Sequence, residues 1–275
     1  GSPSASDLRP FRVVLWRIND SLFSDASLSS AQRTAIEAYY NEGGSFFISS
    51  MELLSRMGTN QSALSFRSNV LQVVSFIEDP GVPFVEGVDH DPTTSGIEVP
   101  LDYSQYDNFF LELLGIDPNV ADTISIRTNA APILFESATG DIAGVRFPRI
   151  GQDSTGRAVF LPFPLDAVPA SGAPPNNRAN LLRNILSFLA PGVNGLGTIA
   201  LDNSAYTIPS QVIVEVADSD LAGTGQTSVT FYSDSAPSGQ SITLDETPRP
   251  GLFRGYLTLV GSTNTFKAGD LRAQH

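Results

Sequence analysis

The chain of 275 residues contains no cysteine. This absence excludes disulfide bonds, thiolate nucleophiles and cysteine-ligated zinc sites. Histidine occurs only twice, as His90 and His275, and no second histidine follows His90 at helical spacing. No apolar run approaches the roughly 18 to 20 residues that a membrane-spanning helix needs. We therefore expect no membrane insertion.

Basic residues are scarce. The chain has 16 lysines and arginines against 29 aspartates and glutamates, which gives a formal net charge of −13. Such a surface repels phosphate backbones and anionic lipids, so we expect no nucleic-acid partner. The acidity favours solubility. In a second interpretation, some of the carboxylates bind calcium outside the cell.

The first part of the chain alternates strand-like and helix-like patterns. Residues 11–16 form a short apolar run that is typical of a buried strand. Ser29 and Gln32 have the spacing of a capping box, which predicts a helix from about residue 30. Gly43 and Gly44 follow and predict its end. Residues 45–49 then indicate a second buried strand.

Further elements continue this alternation as far as residue 190. The pattern predicts a helix over residues 106–114 and another over 178–189. Three strands are predicted between them, over residues 133–135, 143–147 and 158–161. Strands mixed with helices in this order favour a three-layer α/β domain over residues 11–190, with a mostly parallel sheet.

The composition changes at residues 191–197, where four of the seven residues are glycine or proline. This segment is typical of a linker. After it the apolar residues alternate with a period of two, as in Val212, Val214 and Val216. This pattern predicts a C-terminal all-β sandwich over residues 198–275.

Several segments of the first part resemble the class I glutamine amidotransferase-like fold. They are residues 13–16 (VVLW), 28–32 (LSSAQ), 38–49 (AYYNEGGSFFIS) and 156–163 (GRAVFLPF), followed by the helix over 178–189. The chain is most similar to a divergent, non-catalytic branch of this fold found in large secreted bacterial proteins. The resemblance covers about residues 11–190 and implies an extracellular or cell-surface location.

The second part resembles an immunoglobulin-like repeat of bacterial surface proteins. The resemblance lies in residues 212–220 (VIVEVADSD), 244–247 (LDET), 251–255 (GLFRG) and 268–270 (AGD), in that order. Relatives of the α/β domain usually place further strand–helix units before the strand at residues 11–16. We therefore expect this chain to be an excerpt of a longer, multidomain polypeptide.

The resemblance allows a test of catalysis. An active amidotransferase has a cysteine nucleophile on a strand-to-helix turn, with a histidine that activates it and an acidic residue that orients the histidine. The corresponding turn here contains Ser49 and Ser50, and the later histidine position falls in residues 163–166 (FPLD). We expect Ser49 to be a degenerate nucleophile position that caps the following helix.

Two groups of residues are candidate metal ligands. His90 lies between Asp89 and Asp91, but adjacent residues rarely all face one ion, so we expect a polar loop there. In the second domain, carboxylates at the predicted strand ends could together bind calcium. They are Asp218, Asp220, Asp245, Glu246 and Asp270. Turn formation is the alternative for these residues.

The sequence thus predicts a non-catalytic structural or binding module of a larger secreted or cell-surface bacterial protein. The alternative is a divergent serine hydrolase that uses Ser49 or Ser50. No cofactor is implied, with calcium as the one candidate. The expected partners are other segments of the same larger protein, with a protein or a glycan as a candidate ligand.

Overall fold

The computed structural model describes residues 2–21, 24–107, 109–191, 197–261 and 270–273. Most of the predicted linker and His275 lie outside these residues. The chain divides into two compact units. The first consists of Gly1–Arg149 and Asp153–Leu189, and the second of Ile150–Gln152 and Ala190–His275.

The described part of the first unit contains six α-helices. They are α1 (Ala5–Leu8), α2 (Ser30–Asn41), α3 (Leu53–Arg56), α4 (Gln61–Asn69), α5 (Phe109–Leu114) and α6 (Arg178–Leu189). The capping box that begins α2 is confirmed. The Ser29 Oγ accepts the Gln32 N–H at 3.2 Å, and the Gln32 side chain accepts the Ser29 N–H at 2.8 Å. Local sequence therefore places the start of this helix correctly.

Nine strands form one sheet in the first unit. They are β1 (Val13–Arg17), β2 (Ser45–Ser49), β3 (Val73–Ile77), β4 (Phe84–Gly87), β5 (Glu98–Pro100), β6 (Thr123–Ile126), β7 (Ala131–Glu136), β8 (Ile142–Phe147) and β9 (Arg157–Leu161). Their order is β1-β2-β9-β8-β7-β4-β5, and β6 links β3 to β8. Strand β1 is therefore one edge of the sheet.

The predicted three-layer α/β domain with a mostly parallel sheet is wrong. Among the described strands of the first unit, only the β1–β2 and β2–β9 pairs are parallel. The other six pairings are antiparallel. Only α2, α4 and α6 are longer than six residues. The unit is mostly β, with a short parallel section at one end of a mixed sheet.

The reason for this difference is the length of the connections. Parallel neighbours need a crossover of a dozen or more residues, whereas a short turn can join only antiparallel strands. Helix α2 supplies such a crossover between β1 and β2. Between β7 and β8 the chain turns within residues 137–141, where the Gly140 N–H bonds to the Glu136 carbonyl at 2.8 Å. The later strands therefore fold back on one another.

Alternate residues of β2 and β9 belong to two different apolar cores. Phe46 and Phe160 pack with helices α2 and α4, whereas Phe47 and Leu161 pack with α6. Since successive side chains of a strand point to opposite faces, the parallel section is covered on both sides. All five residues of β9 are buried. Strands β2 and β9 are thus packed against apolar side chains on both faces of the sheet.

The described part of the second unit consists of strands and turns. The strands are β10 (Thr198–Leu201), β11 (Ser210–Ala217), β12 (Gln226–Ser233), β13 (Ala236–Glu246), β14 (Leu252–Gly261) and β15 (Asp270–Ala273). They form one sheet in the order β10-β11-β14-β13-β12, and β15 pairs with β14 in parallel. One apolar cluster, which includes Val214, Leu244 and Phe253, forms the core.

The predicted immunoglobulin-like sandwich of two sheets is wrong as well, because the described strands form a single curled sheet. Strand β13 pairs with β12 from Ala236 to Asp245, but with β14 only at Asp245 and Glu246. One long strand thus changes its partner near its end and carries the sheet around the core. A period of two identifies the buried face of each strand, but it does not say which strands pair.

A buried ion pair connects the turn after β4 to strand β8. The Asp91 carboxylate accepts a hydrogen bond from the Arg146 Nε–H at 2.7 Å. The side chain of Asp91 is 3% exposed and that of Arg146 is 5% exposed. Asp91 also accepts the Thr93 N–H at 2.8 Å. His90 is exposed, with a φ of 61°. Residues 89–91 therefore form a polar turn that Asp91 organises.

We predict that Asp91→Asn lowers the free energy of unfolding of the first unit by about 3 kcal/mol, because it leaves the Arg146 charge buried without its partner. Denaturant unfolding monitored by Trp16 fluorescence measures this change, since the only tryptophan lies in β1. Asp89→Asn is the control, because Asp89 is exposed in the same turn and its change should be within about 0.5 kcal/mol. Equal effects of the two substitutions would contradict the role given to Asp91.

Candidate functional site

A groove lies where the parallel strands β1 and β2 end. Ligands of sheets with parallel strands commonly bind outside the carboxyl ends of those strands. The groove has a volume of about 270 Å³. Its lining residues are Leu15, Trp16, Arg17, Ile18, Asp20, Phe47, Ser49, Tyr106, Pro164, Leu165, Asp166 and Arg178. Apolar walls thus meet a few polar groups at one place.

Ser49 is the last residue of β2 and lies on the groove wall. Its Oγ accepts the backbone N–H of Leu165 at 3.1 Å, at the start of a 3₁₀ turn over Leu165–Ala167. The structure thus gives Ser49 a capping contact, but with this turn rather than with the helix that follows β2. No described side chain accepts the Ser49 hydroxyl proton.

Ser50 is buried behind the groove. Its Oγ donates to the Asp20 Oδ1 at 2.5 Å and accepts the Glu52 N–H at 3.2 Å. Ser50 and Asp20 are 1% and 4% exposed. This hydroxyl therefore connects the segment after β1 to the turn after β2, where a dissolved substrate has no access.

The segment in which the resemblance places a histidine, residues 163–166, ends in Asp166. Its Oδ1 accepts the Tyr106 hydroxyl at 2.7 Å, and its Oδ2 lies 3.2 Å from the Arg17 Nη2. Burial, followed by the bond to Asp166, raises the pKa of Tyr106, so its hydroxyl stays a donor. Among the described residues the only histidine is His90, and it does not line the groove.

Burial shifts the titration of the acids near Ser50. It raises the pKa of Asp20 to about 6, although the Ser50 hydroxyl opposes this shift. Burial also raises the pKa of Glu52, whose carboxylate lies 3.1 Å from the Arg56 Nη2. Arg56 further donates to the carbonyls of Asn19 and Ser21, each at 2.9 Å. One arginine thus holds the segment that contains Asp20.

Asp122 was not a candidate from sequence, yet it has the most unusual environment of these acids. It is 1% exposed; its Oδ1 accepts the Asp79 N–H at 3.2 Å, and its Oδ2 has no hydrogen-bond partner. Burial raises its pKa to about 8. Glu78, Asp79 and Glu52 add repulsion in the same direction. No sequence signal would bring Asp122 to these acids, which come from other turns.

The structure brings only some of the predicted calcium ligands together. Asp218 and Glu246 both lie beside Gly251. The Asp218 N–H donates to the Gly251 carbonyl at 2.8 Å, and the Gly251 N–H donates to the Glu246 Oε1 at 2.8 Å. Asp270 pairs with Thr258 of β14, seven residues after Gly251, which is roughly 23 Å of extended chain. Within the described ranges, no group of three acidic or histidine side chains could hold a metal ion.

Backbone groups already occupy the carboxylates that are grouped there. Glu246 accepts the N–H groups of Gly223, Gly225 and Gly251 at 2.8 to 3.0 Å, and these bonds lower its pKa. Asp218 accepts the Asp220 N–H at 2.9 Å. The Asp245 Oδ1 accepts from the Gln226 side chain at 2.7 Å. This arrangement favours the turn-forming alternative, and calcium binding stays a prediction.

No family model and no curated protein matches the chain. Among solved structures, a cytoplasmic protein from Salmonella typhimurium is 16% identical with a TM-score of 0.40, over 67% of this chain and 74% of its own. Two β-galactosidases, from Rahnella sp. R3 and Bacillus circulans sp. alkalophilus, are 13% and 12% identical with TM-scores of 0.39 and 0.37. The matches cover 91% and 90% of this chain but 33% of each enzyme.

Similarities of this size do not establish a shared fold and transfer no activity. None of the three proteins is described as a glutamine amidotransferase or an immunoglobulin-like repeat, so these comparisons test neither of the two sequence resemblances. Across the described residues, every helix is too short or too polar to cross a membrane.

We predict that the first unit is most stable near pH 5. Asp122 and Asp20 have pKa values of about 8 and 6 in the folded protein, above the ordinary value of 3.8. The stability that they contribute to the folded state is therefore fully present below pH ~4 and is lost as the pH rises through 6 and 8. Hydrogen bonds from backbone N–H groups lower the pKa of other acids, such as Glu136. The stability that these acids contribute to the folded state is lost as the pH falls below about 4.5. The free energy of unfolding should fall by at least about 2 kcal/mol between pH 5 and pH 8.

Asp122→Asn tests the cause of this pH dependence. The substitution keeps an acceptor for the Asp79 N–H but removes the charge, so the decline above pH 5 should shrink by at least about half. The control Asp89→Asn should keep the wild-type decline. Stability curves from Trp16 fluorescence at a series of pH values measure both. A wild-type protein that is more stable at pH 8 than at pH 5 would contradict the assignment.

We predict that Glu246→Gln lowers the melting midpoint of the second unit, since an amide cannot accept three N–H groups as a carboxylate does. Calorimetry with EGTA and then with millimolar calcium measures the midpoint and tests the calcium prediction in the same scan. If the turn-forming alternative holds, calcium changes neither the wild-type midpoint nor that of Asp218→Ala. A rise with calcium in the wild type alone would instead support the metal site.

Proposed function

We propose that this chain is a non-catalytic binding module of a larger secreted or cell-surface bacterial protein, with the groove as its binding site. The observation that carries the proposal is the state of the two candidate nucleophiles. Ser49 caps the turn at Leu165, and Ser50 is buried against Asp20, beside a groove that is open to solvent. The location rests on the resemblance to secreted bacterial proteins.

The hydroxyl groups are poorly placed for catalysis. A serine becomes a nucleophile when a neighbouring base takes its proton and a third group orients that base. Within the described residues no imidazole stands beside Ser49, and the nearby Asp166 is occupied by Tyr106 and Arg17. The residues around Ser49 can therefore position a bound group but lack the parts of a catalytic triad.

The dimensions and lining of the groove suit a side chain or a single sugar ring. Its volume of about 270 Å³ is slightly below the range of pockets that enclose drug-sized ligands, roughly 300–1,000 Å³. Leu15, Phe47 and Leu165 supply apolar surface. Arg17 and Asp166 supply charges of both signs at the rim. We infer that the ligand is a protein segment or a glycan.

One observation favours the alternative of a divergent serine hydrolase. The Ser50 Oγ lies 2.5 Å from the Asp20 Oδ1, and burial raises the pKa of Asp20 to about 6, which is the range of a general base. Against it stands the 1% exposure of Ser50. The non-catalytic proposal accounts for both facts, because a buried carboxyl group requires a hydrogen-bond partner.

A serine-reactive fluorophosphonate probe tests the proposal. We predict no labelling of the wild-type protein under conditions that label a serine hydrolase run in parallel. Ser50→Ala should destabilise the first unit by about 1–3 kcal/mol, because Asp20 loses its partner, without changing the labelling. Stoichiometric labelling that disappears in Ser49→Ala or Ser50→Ala would establish the hydrolase instead.

The binding role has its own measurement. The wild-type protein and Arg17→Glu, which reverses a charge at the groove rim, are compared on a glycan array and against a random peptide library. Arg17 is an exposed residue, so its replacement leaves the core intact. We expect ligands that bind the wild type and bind Arg17→Glu more weakly. If neither collection contains a ligand for the wild type, the binding proposal is wrong.

A further inference from the structure

A second cavity of the first unit lies at the opposite end of the sheet from the groove. It is found where β3 and β9 begin and where β6 and β8 end, and its volume is about 270 Å³. Its lining residues are Tyr40, Asn69, Gln72, Arg127, Asn129, Phe147, Asp153, Ser154 and Thr155. The cavity shares no lining residue with the groove, so it is a separate place on the molecule.

Two amide oxygens of this lining lack hydrogen-bond partners. The Gln72 Oε1 and the Asn129 Oδ1 are both buried, and no described atom donates a hydrogen bond to either of them. Gln72 is 4% exposed, and its Nε2 donates to the Asn69 carbonyl at 2.6 Å, which fixes which end of the amide is the oxygen. A buried acceptor without a donor costs free energy. The wall of the cavity is thus short of donors, which a ligand with N–H groups would supply.

The backbone of Gln72 is strained as well. Its φ is 62°, in the left-handed region that residues other than glycine rarely adopt. Its carbonyl accepts the Arg127 N–H at 2.9 Å, a bond that holds the residue in this conformation. Strain of this kind is concentrated at ligand-binding positions, where the surrounding structure maintains it. Gln72 therefore combines two destabilising features at the wall of one cavity.

Arg127 brings a positive charge to the same cavity. Its side chain is exposed, and its Nη1 donates to the neutral Ser68 Oγ at 2.7 Å. None of the ion pairs among the described residues includes Arg127. A guanidinium group has five N–H donors and binds a carboxylate with two of them at once. Arg127 can therefore pair with an anionic group of a ligand beside Gln72.

The remaining lining favours a ligand with charges of both signs. An ammonium group has three N–H donors and no acceptor, so it matches the two unpartnered oxygens. The rings of Tyr40 and Phe147 lie in tilted contact with centroids 6.3 Å apart, and aromatic rings attract cations and pack with apolar groups. Asp153 adds a carboxylate to the lining, and the whole chain has a net charge of −13. A simple anion fits this cavity less well than a zwitterion.

We propose that this cavity binds a free α-amino acid, whose ammonium group donates to Gln72 and Asn129 and whose carboxylate pairs with Arg127. The amino-acid side chain packs against the rings of Tyr40 and Phe147. Because the two amide oxygens are covered in the unliganded protein, small side-chain rotations accompany binding, as is common at binding sites. The site goes beyond the proposed function, since it adds a small-molecule ligand at a place other than the groove.

The test is isothermal titration of the whole chain with the common L-amino acids at millimolar concentrations. Each amino acid that binds is compared with two analogues. The 2-hydroxy acid keeps the carboxylate and lacks the ammonium group, and the primary amine keeps the ammonium group and lacks the carboxylate. We expect at least one amino acid to bind, and both of its analogues to bind roughly tenfold more weakly, because each loses charge-assisted hydrogen bonds.

Three protein variants locate the binding. Arg127→Gln should weaken binding of the amino acid roughly tenfold and leave binding of the amine unchanged. Gln72→Gly removes the unpartnered oxygen and relieves the strain, so it should weaken amino-acid binding roughly tenfold while the unfolding midpoint changes little. The control His90→Gly relieves a φ of 61° away from the cavity and should keep wild-type binding. Trp16 fluorescence checks that each variant is folded. If Gln72→Gly unfolds, Arg127→Gln and the two analogues decide.

The outcomes separate this site from the groove. If no amino acid binds, the cavity holds only water and the inference is overturned. A 2-hydroxy acid that binds as tightly as its amino acid would overturn the recognition of an ammonium group. Binding that Arg17→Glu abolishes and Arg127→Gln leaves intact would belong to the groove and would also overturn the inference. Amino-acid binding that depends on Gln72 and Arg127 would support it, even if the glycan array and the peptide library show that the groove binds nothing.

Discussion

The parallel pairing of β2 with β1 on one side and β9 on the other is the constraint on which the candidate site depends. Because β2 and β9 are buried on both faces, their register is fixed by Phe46, Ile48 and Phe160 on one side and by Phe47 and Leu161 on the other. A shift of one residue would exchange these two faces. The same register brings the ends of β1 and β2 together and forms the groove.

Local features of the fold could be predicted from the sequence, and pairing could not. The capping box at Ser29, the strand Ser45–Ser49 and the helix Arg178–Leu189 are confirmed, because each depends on residues a few positions apart. The parallel sheet was wrong because an apolar run does not contain the direction of its neighbour. The short connection between residues 136 and 142 was the available sign of an antiparallel pair, and it outweighs the overall alternation of strands and helices.

The same distinction applies to the site. The sequence identified Ser49 and the absence of a histidine near residue 166. It could not show that Ser50 bonds to Asp20, thirty residues earlier, or that Asp122 comes within hydrogen-bond distance of Asp79. It also predicted the helix that became α5 but not its environment, since Phe109, Phe110 and Leu113 are more than 60% exposed. Periodicity gives a face, and only the surrounding structure decides whether that face is covered.

The carboxyl ends of β1 and β2 combine features that each reduce stability. Asp20 and Leu15 both line the groove, but Asp20 is buried and Leu15 is exposed, whereas stability alone would favour the reverse. Departures of this kind are expected to concentrate where a protein binds, because a binding surface must leave apolar groups and backbone donors free for the ligand.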